Sequence, residues 1–506
     1  MKPAVIVFVA AVALYVPTVR YGFVQDDRAI VAGNPAAHSI GAALRAFDDP
    51  YWPQESGAGL YRPVTILSYA VDWTVSGGRP GWLHLMNAVW HGLAAVLLML
   101  VVARWLPPLG ATAAGLLFAW HPVHVEAVAS LVGRAELLAA VGILGAVLAA
   151  RRGWWVGAVL CAALAMLSKE HGVIAGVVIL LDNWLQGPER RRYPAGLWIA
   201  LAIVTAGFLS AWLVIGRAGA SDVAAVFLGR GVMGRLAVAL PAIARAAQLL
   251  VWPVSLSADY GPQVIPARAS FSLAAAFGAI VVIAVPLLLV WCRRRAPAVA
   301  FTAALAALSY LPTSNLLFPS GVVLSERNLY LAVGLAAALG GMGLEWVTSR
   351  WGPRPGLAAL GVVALGCGAR SLARLPAWRD NRSELLTLLA EHPESYRAHL
   401  SAAAVLAGLR DTAGARREYR VADSLFAGDP HMDAARALYL VGLGDTTAGA
   451  PLVRRARAAM PADRIALRAQ FLLDLARGDR PGALAVADFA QQRYRWERSW
   501  YVMHLQ

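Results

Sequence analysis

"FSLAAAFGAIVVIAVPLLLVWCRRR", residues 271–295, is an apolar run that ends in three consecutive arginines. A helix that crosses a membrane needs about 17 to 25 mostly apolar residues, so residues 271–292 are long enough to span a bilayer. Arginine clusters beside such runs favour the cytoplasmic side of the membrane. This one stretch therefore predicts both a membrane span and its orientation.

The composition of the whole chain indicates the same class of protein. Hydrophobic residues make up 59% of the 506 residues and charged residues only 15%, and the mean hydropathy is +0.57. A soluble globular protein has about 25% charged residues, so we expect an integral membrane protein with a polytopic all-α fold. Cys161, Cys292 and Cys367 all lie in apolar runs, where they predict neither a disulfide framework nor a metal site.

The net charge of +15 comes from arginines that lie in short clusters between apolar runs. There is no basic, aromatic-rich surface of the kind that binds nucleic acid, so we expect no nucleic-acid partner. The excess of arginine is better explained as a set of orientation signals.

About eleven runs are apolar and long enough to be candidate spans. They lie at 3–19, 82–103, 109–125, 131–149, 153–168, 171–186, 195–215, 271–292, 297–312, 328–347 and 356–373. The first run follows Lys2, as in a secretory signal peptide. Because "YVPTVRYG" (15–22) has no small-x-small cleavage site, we expect an uncleaved anchor.

With Lys2 in the cytoplasm, all basic clusters between the spans fall on the cytoplasmic side. These clusters are Arg104, Arg151 with Arg152, "ERRRY" at 189–193, "RRR" at 293–295, and Arg350 with Arg354. The opposite side then receives the loops 20–81 and 216–270 and the C-terminal tail. The bias towards Ala, Leu, Gly and Arg suggests a bacterium, so we expect a multi-pass protein of the inner (cytoplasmic) membrane with a periplasmic tail.

After about residue 376 the chain becomes polar and amphipathic. Asp411, Asp445 and Asp479 recur every 34 residues in similar contexts. A 34-residue period is typical of tetratricopeptide repeats, whose helix pairs stack because none can bury its apolar face alone. We therefore predict a transmembrane domain, 1–375, and an α-solenoid of about three repeats, 376–506, whose groove would hold a peptide. The alternative is a generic tail of helical hairpins.

Polar residues collect on the side opposite the arginine clusters, where ionisable groups are costly and are functional candidates. They occur in "VQDDRAI" (24–30), "HPVHVEAVASLVGRAEL" (121–137), "SKEHG" (168–172) and "SERNLYL" (325–331). Such residues could form a zinc site from His121, His124 and Glu126, or the ion pathway of a transporter. They could also form the active site of an enzyme that uses a lipid-linked substrate.

The enzyme hypothesis explains most of these residues at once. The zinc candidates do not follow the H-E-x-x-H spacing, and matched halves with broken helices, typical of transporters, are absent from the sequence. In an enzyme, Asp26 or Asp27 would accept a proton from a hydroxyl group. Arg62, Lys169 and Arg327 would then hold the phosphate of the lipid carrier as it leaves.

Several longer blocks resemble a known family. They are "FVQDDRAIVAGNP", "YRPVTILSY", "WLHLMNAVWH", "HPVHVEAVASLVGRAELLAA", "SKEHGV" and "PTSNLLFPSGVVLSERNLYLAVG". In this order, and followed by a repeat tail, they resemble the transmembrane and tetratricopeptide-repeat (TMTC) O-mannosyltransferases of the GT-C glycosyltransferase superfamily. The resemblance implies a polyprenyl-phosphate sugar donor, an acceptor such as a protein Ser or Thr hydroxyl, and inversion at the sugar.

The resemblance also implies roles for individual residues. Asp26 or Asp27 would be the catalytic base, and the other acid would orient the acceptor, the sugar or a divalent ion such as Mg²⁺ or Mn²⁺. Arg62 and Arg327 would contact the donor phosphate. The pocket would further be lined by His121, His124, Glu126, Arg134, Lys169, Glu170 and Glu326.

Some features leave the acceptor and the sugar open. His171 stands where the family commonly has Gln, "AVG" follows "SERNLYL" in place of Pro-Ser, and the tail has only about three repeats. The same chemistry could act on a lipid or on a cell-envelope polysaccharide, and a non-enzymatic membrane scaffold is a different class of function.

Purely structural roles also stay open for several residues. The Asp pair could form a turn or a helix cap, and His84, Asn87 and His91 could pack helices together. Arg134 could pair with Glu126 or Glu136. Arg327 could pair only with Glu326.

Overall fold

The computed structural model describes residues 2–53, 59–187, 192–216, 223–266 and 272–494. Within these ranges the regular structure is helical and contains no strand, which confirms the predicted all-α fold class. Residues 189–191 of the predicted "ERRRY" cluster, and parts of the loops 20–81 and 216–270, lie outside the described residues.

Fifteen described helices precede residue 375. They are α1 (Pro3–Tyr15), α2 (Ile40–Arg45), α3 (Pro63–Ser76), α4 (Pro80–Val102), α5 (Pro108–Trp120), α6 (His124–Ala129), α7 (Arg134–Arg151), α8 (Trp155–Ser168), α9 (Ala175–Leu185), α10 (Ala195–Ala211), α11 (Val232–Val251), α12 (Leu273–Cys292), α13 (Pro297–Tyr310), α14 (Val333–Trp351) and α15 (Pro353–Arg374).

The described part of the tail contains seven further helices. They are α16 (Asn381–Glu391), α17 (Tyr396–Gly408), α18 (Thr412–Leu425), α19 (Pro430–Gly442), α20 (Thr446–Ala459), α21 (Arg464–Ala476) and α22 (Arg480–Arg493).

Proline is the first residue of six of the first fifteen helices. Proline suits this position because the first backbone N–H groups of a helix have no partner within the helix, and because its ring fixes a helical φ. The sequence therefore marks the starts of these helices more sharply than their ends.

Seven helical segments of the described residues are long and apolar enough to cross a membrane. They are Pro3–Arg20, Pro80–Val102, Leu131–Arg151, Ala195–Gly216, Val232–Val251, Leu273–Cys292 and Pro353–Trp378, with shorter apolar helices at Pro108–Trp120, Trp155–Ser168 and Pro297–Thr313. The sequence predicted about eleven. Two predicted spans do not qualify, because α9 has only 11 residues and α14 ends in polar residues that include Glu345 and Arg350.

One long apolar helix, α11, lies where the sequence predicted only the loop 216–270. Near its start, Arg235 donates a hydrogen bond to the carbonyl of Leu316, at 3.0 Å. Near its end, the carbonyl of Leu250 accepts one from His121 Nε2, at 3.2 Å. Leu316 and His121 belong to connections predicted for the same side of the membrane. We infer that α11 lies along that face, as its amphipathic sequence favours.

α7 lies at the centre of the helix bundle. In its apolar window 94% of the residues are buried, against 11% in α12. α7 packs closely on α8 at Gly142, where a Cβ atom would lie 2.6 Å from the carbonyl oxygen of Cys161. Small residues allow the backbones of membrane helices to approach in this way. The bundle is therefore tight around α7 and leaves α12 at its surface.

The described tail contains three successive helix pairs, α17 with α18, α19 with α20, and α21 with α22. Asp411, Asp445 and Asp479 each cap the second helix of a pair through a backbone N–H three residues later. The 34-residue spacing thus corresponds to a recurring helix–turn–helix unit. Its assignment to the tetratricopeptide family stays a prediction.

Candidate active site

Asp26 and Asp27 lie in a short loop beyond α1 and differ sharply in burial. α1 continues as a tighter helical turn to Arg20, after which the chain leaves the bundle. Asp27 is fully buried, whereas the side chain of Asp26 keeps 35% of its exposure. Of the two carboxylates, Asp26 is therefore the one that a ligand can reach.

Asp27 holds this loop against the short helical turn, Leu131–Gly133, that precedes α7. Its Oδ1 accepts a hydrogen bond from the backbone N–H of Val132 at 2.9 Å, and its Oδ2 accepts one from Val24 at 3.1 Å. Burial raises the pKa of Asp27 to about 7, although these hydrogen bonds favour the charged form. Asp27 therefore has a structural role, but its side chain bonds the preceding turn and Val132 and does not cap the helix that follows it.

Arg327 lies between Asp26 and Glu126. Its NH1 is 3.9 Å from Asp26 Oδ2, and its Nε is 3.4 Å from Glu126 Oε1. Glu126 also accepts hydrogen bonds from the Arg327 backbone N–H at 2.9 Å and from Ser325 Oγ at 2.8 Å. Glu126 therefore fixes the segment that carries Arg327, while the Arg327 side chain stays 29% exposed beside Asp26.

Glu326 points into the protein, away from this surface. Its Oε1 accepts hydrogen bonds from Tyr260 Oη at 2.7 Å and from the backbone N–H of Ser257 at 2.6 Å. Burial raises the pKa of Glu326 to about 7, with Arg374 acting in the opposite direction. The alternative that Arg327 pairs only with Glu326 is wrong, and Glu326 does not line the surface beside Asp26.

Lys169 joins Glu136 to the segment that carries Arg327. Its Nζ contacts the Glu136 carboxylate and donates a hydrogen bond to Asn328 Oδ1 at 3.1 Å. His171 Nε2 lies 3.7 Å from the same carboxylate. Burial lowers the pKa of Lys169, and the charge of Glu136 opposes that effect.

Arg62 forms a two-pronged ion pair with Glu170. Its Nε and NH2 donate hydrogen bonds to Oε1 and Oε2 at 3.0 and 2.7 Å, and its guanidinium lies 4.9 Å from the centre of the Tyr51 ring. Burial alone would raise the pKa of Glu170, but Arg62 holds it below its usual value. Arg62 and Tyr51 also line a groove of about 340 Å³, together with Asn34 and Ile66.

Arg62, Lys169 and Arg327 are close enough to affect one another electrostatically. Burial is the largest influence on the pKa of Lys169 and lowers it, whereas the charge of Glu136 raises it. The charges of Arg62 and Arg327 lower it further. Like charges at short range are unfavourable, and neighbouring carboxylates offset them here. A bound phosphate would be stabilised by the same cations. The structure thus brings together the three cations that the sequence selected.

His121 and His124 are buried and bound to the protein backbone. His121 contacts Leu250, as described above, and His124 Nε2 donates a hydrogen bond to the carbonyl of Tyr330 at 3.1 Å. Burial lowers the pKa of both rings, so both are neutral at pH 7. These two histidines do not line the accessible surface beside Asp26, contrary to the prediction.

Arg134 is also placed elsewhere, completely buried at the start of α7. Its Nε donates a hydrogen bond to Asn87 Oδ1 at 2.7 Å, its NH2 donates one to the carbonyl of Leu83 at 2.8 Å, and its NH1 contacts Asp72. Neither predicted partner, Glu126 nor Glu136, takes part. A buried guanidinium needs a partner for each N–H group, so Arg134 ties α3, α4 and α7 together instead of lining the pocket.

The polar stripe of α4 packs helices together, which is one of the alternatives that the sequence left open. His84, Asn87 and His91 are buried on one face of the helix. His91 Nε2 donates a hydrogen bond to the carbonyl of Ala119 at 2.9 Å, and its Nδ1 lies 2.7 Å from Tyr330 Oη. These contacts leave the stripe without access to a ligand.

No group of three or more His, Cys, Asp or Glu side chains among the described residues is arranged to hold a metal ion. The candidate zinc ligands make separate contacts. The ring centres of His121 and His124 are 6.1 Å apart, and Glu126 is bound to Ser325 and Arg327. This geometry does not fit the predicted alternative of a zinc site.

Sequence reasoning missed Asp72 and Asn328. Asn328 adjoins Arg327 in a segment already selected, so its polarity was a usable signal. Asp72 is the only charged residue of α3, and an isolated acid in an apolar helix often has a buried cationic partner. Ser257 and Tyr260 come from the long loop 216–270, in which the sequence contains no comparable signal.

Comparisons with known proteins agree with the resemblance stated above. The chain is 36% identical over 177 residues to protein O-mannosyl-transferase Tmtc1 of Drosophila melanogaster, which is 33% of this chain and 21% of that protein. It is 31% identical over 196 residues to TMTC3 of Mus musculus, again 21% of that protein. A longer match, to TMTC4 of Mus musculus, has 25% identity and covers 79% of this chain and 63% of the relative.

These relatives are protein O-mannosyl-transferases by name, which confirms the resemblance stated from the sequence, while the bacterial origin stays a prediction. The chain spans about a fifth of the length of the first two. No family model matches the chain. Among solved structures, ArnT from Cupriavidus metallidurans bound to undecaprenyl phosphate aligns over 96% of this chain and 80% of its own, with 16% identity and a TM-score of 0.38. A TM-score this low does not establish a shared fold.

Proposed function

We propose that this chain is a membrane glycosyltransferase of the O-mannosyl-transferase kind, with the GT-C architecture. It would move a sugar, a hexose such as mannose, from a polyprenyl-phosphate donor to an acceptor hydroxyl, with inversion. One observation carries the proposal: a partly exposed carboxylate, Asp26, lies beside a partly exposed guanidinium, Arg327, at the edge of a group of three cations.

The proposed reaction is a single displacement. The acceptor hydroxyl gives its proton to Asp26 while its oxygen attacks the anomeric carbon of the sugar. The bond from that carbon to the phosphate oxygen breaks, and the electron pair leaves with the polyprenyl phosphate. Attack opposite the leaving group inverts the configuration of the anomeric carbon.

The cations stabilise the charge that develops on the leaving phosphate. Arg327 is the nearest of them to Asp26, and Lys169 is tied to the same segment through Asn328. Arg62 is oriented by its ion pair with Glu170, the residue after Lys169. A preorganised group of this kind needs little rearrangement during the reaction, which is the condition for strong electrostatic catalysis.

Asp26 is the better candidate for the base because it is accessible. Asp27 is fully buried, and backbone N–H groups already occupy both of its carboxylate oxygens. The family resemblance also allowed for Mg²⁺ or Mn²⁺. The described carboxylates are engaged by cations and backbone donors and do not form a dedicated ligand set, so we assign no step to a metal ion.

For the acceptor we propose a protein or peptide, through a Ser or Thr hydroxyl. The names of the relatives and the tail of stacked helix pairs favour this choice. The tail also contains a cleft of about 130 Å³ whose lining includes Arg416, Arg436, Tyr419 and Tyr439. Cationic and aromatic side chains of this kind suit a peptide with acidic or aromatic residues.

We propose that the protein lies in the cytoplasmic membrane of a bacterium, with Asp26 and the tail on the extracytoplasmic side. Two observations support this orientation. The arginine clusters fall on the opposite side in the predicted topology. The tail contacts the loop that carries Asp26, because Asn381 accepts a hydrogen bond from Gln25, so both lie at one face of the bundle.

The test is transfer by the purified full chain in proteoliposomes supplied with polyprenyl-phosphate mannose and a Ser/Thr-rich peptide. We expect mannosylated peptide from the wild type and at least 100-fold slower formation of it, roughly, by Asp26→Asn. Mass spectrometry of periplasmic glycopeptides from cells with and without the gene identifies natural acceptors. Sugar found only on lipid or polysaccharide would overturn the protein acceptor. No transfer to any acceptor would overturn the enzyme and favour a scaffold.

A further inference from the structure

The first helix of the tail, α16, contacts the loop that carries Asp26. The backbone N–H of Gln25 donates a hydrogen bond to Asn381 Oδ1 at 2.7 Å. Three residues earlier, the backbone N–H of Gly22 donates one to the carbonyl of Arg379 at 3.1 Å. The tail thus holds the loop at two points, one of which lies directly before Asp26.

Gln25 has an unusual backbone conformation. Its φ is +47°, in the left-handed region that residues other than glycine rarely adopt. Such a conformation persists only where the surroundings hold it. On one side, Asp27 binds the N–H of Val24, and on the other, Asn381 binds the N–H of Gln25. Because the backbone at Gln25 sets the direction of the next residue, these bonds determine where the Asp26 carboxylate lies.

The position of α16 is itself fixed. At its end, Glu391 pairs with Arg374 of α15 at 2.5 Å. Just beyond it, Ser395 Oγ donates a hydrogen bond to Asp259 at 2.7 Å, and Arg397 lies 3.6 Å from the same carboxylate. The start of the tail is therefore docked on the bundle and gives Asn381 a defined place.

The contacts between the tail and the bundle also extend to the segment that carries Arg327. Asp259 lies between Ser257 and Tyr260, and both of these donate hydrogen bonds to Glu326. Glu326 is the residue before Arg327. Contacts of the tail therefore end next to Asp26 on one side and next to Arg327 on the other.

We propose that Asn381 is a positioning residue for Asp26, so that the start of the tail completes the active site. By accepting the N–H of Gln25, Asn381 holds the loop in the conformation that aims the Asp26 carboxylate at the space beside Arg327. This inference rests on the proposed function, because it gives Asn381 a part in the transfer reaction. Asn381 acts through Gln25 and does not touch the reacting atoms.

The test compares three variants of the full chain in the proteoliposome assay. Asn381→Ala should lower kcat roughly 10- to 100-fold, since small displacements of a catalytic group have effects of this size. The KM for the lipid donor should not change, because Arg62, Lys169 and Arg327 are untouched. Asn381→Asp keeps an acceptor oxygen and should restore most of kcat. Arg382→Ala, at the next and equally exposed position of α16, is the matched control and should behave as wild type.

Hydrogen exchange of the backbone of residues 22–28 gives a readout that does not depend on activity. We expect faster exchange in Asn381→Ala and unchanged exchange in Arg382→Ala. Unchanged exchange in Asn381→Ala, or a kcat equal to that of the wild type, would overturn the proposal, as would a raised KM with kcat unchanged. A wild type that transfers no sugar would overturn the proposed function and the catalytic part of this inference. The exchange result would then still decide whether Asn381 holds the loop.

Discussion

Asp26 Oδ2 lies 3.9 Å from Arg327 NH1, and these atoms belong to segments 301 positions apart in the sequence. Both side chains remain partly exposed. An exposed ion pair contributes little to stability. The arrangement is therefore better explained as a site prepared for a ligand than as a bond that stabilises the fold.

Asp26→Asn should lower kcat about 10²- to 10⁴-fold, the usual contribution of a general base. Its melting temperature should stay close to that of the wild type, since the carboxylate is partly exposed. Asp27→Asn should mainly lower the melting temperature, because an amide cannot accept both backbone bonds. Kinetics and thermal unfolding of both variants provide the check. Full activity of Asp26→Asn would refute the assignment of the base.

Arg327→Ala should lower kcat/KM for the lipid donor about 100-fold, since it removes the cation nearest to Asp26, beside which we place the leaving phosphate. Arg327→Lys keeps the charge and should lose less. Arg45→Ala changes an exposed arginine of the same loop region as Asp26 and serves as the control. Donor titrations of the four proteins measure the effect. Equal losses in Arg327→Ala and Arg45→Ala would mean that only the general surface charge matters.

The stability of the protein should depend on pH through Asp27 and Glu326, whose pKa values rise from about 4 to about 7 on folding because of burial. Between these pH values the folded state binds more protons than the unfolded state. The free energy of unfolding therefore falls as pH rises from about 4 to about 7, and the contribution is complete below that interval. Unfolding in detergent at pH 4, 5.5, 7 and 8 tests this.

Glu326→Gln isolates one of the two groups. Its amide oxygen can still accept from Tyr260 and Ser257, and it carries no charge to bury. We expect this variant to equal the wild type near pH 4 and to exceed it in stability at pH 8. Glu394→Gln is a control in which the pKa shift has the opposite sign. Partial burial would raise the pKa of Glu394, but its hydrogen bond with His392 holds the pKa below its usual value. Parallel curves for wild type and Glu326→Gln would contradict the prediction.

Asp72→Asn should destabilise the fold by about 3 to 5 kcal/mol, because it leaves the fully buried Arg134 without its counter-charge. Chemical unfolding in detergent measures the loss. Any remaining folded protein should keep its KM for the donor, since Arg134 does not reach the surface beside Asp26. A large rise in KM without a loss of stability would return Arg134 to the substrate site.

Arg410→Gly should stabilise the tail by roughly 1 kcal/mol. Arg410 has a φ of +62° at the turn where the next two helix pairs have Gly444 and Gly478. A side chain is strained in this conformation and glycine is not. Gly444→Arg is the matched reverse change and should destabilise by a similar amount. Thermal unfolding of both variants tests the pair, and a change of the same sign in both would refute it.

The sequence was sufficient for the helical class and for the grouping of the cations. Long apolar runs have few alternatives to helices in a membrane, because every backbone polar group must be bonded internally. Arg62, Lys169 and Arg327 could be grouped because the alternation of spans assigned their loops to one side. Neither inference needed knowledge of individual contacts.

The choice between neighbouring or similar residues could not be made in this way. Asp26 and Asp27 have the same chemistry and differ only in which of them is covered by the turn that precedes α7. Arg134 was expected in the pocket because its charge was visible, but its partner Asp72 lies 62 positions away on another helix. α11 was missed because its alanines and arginines give it only a moderate hydropathy. Its placement along one face of the bundle follows from its contacts with Leu316 and His121, which the sequence does not show.

The hydrogen bond between Gln25 and Asn381 joins residues 356 positions apart. The parts of the site are therefore synthesised at different times. At the usual 5 to 20 residues per second, roughly 20 to 70 s of synthesis separate the two. During that interval the acidic loop exists without the helix that holds it. The loop that carries Asp26 is therefore synthesised early but reaches its final conformation late. A ribosome that stops before residue 381 leaves a membrane-inserted chain in which the Asp26 carboxylate is present but not held in position.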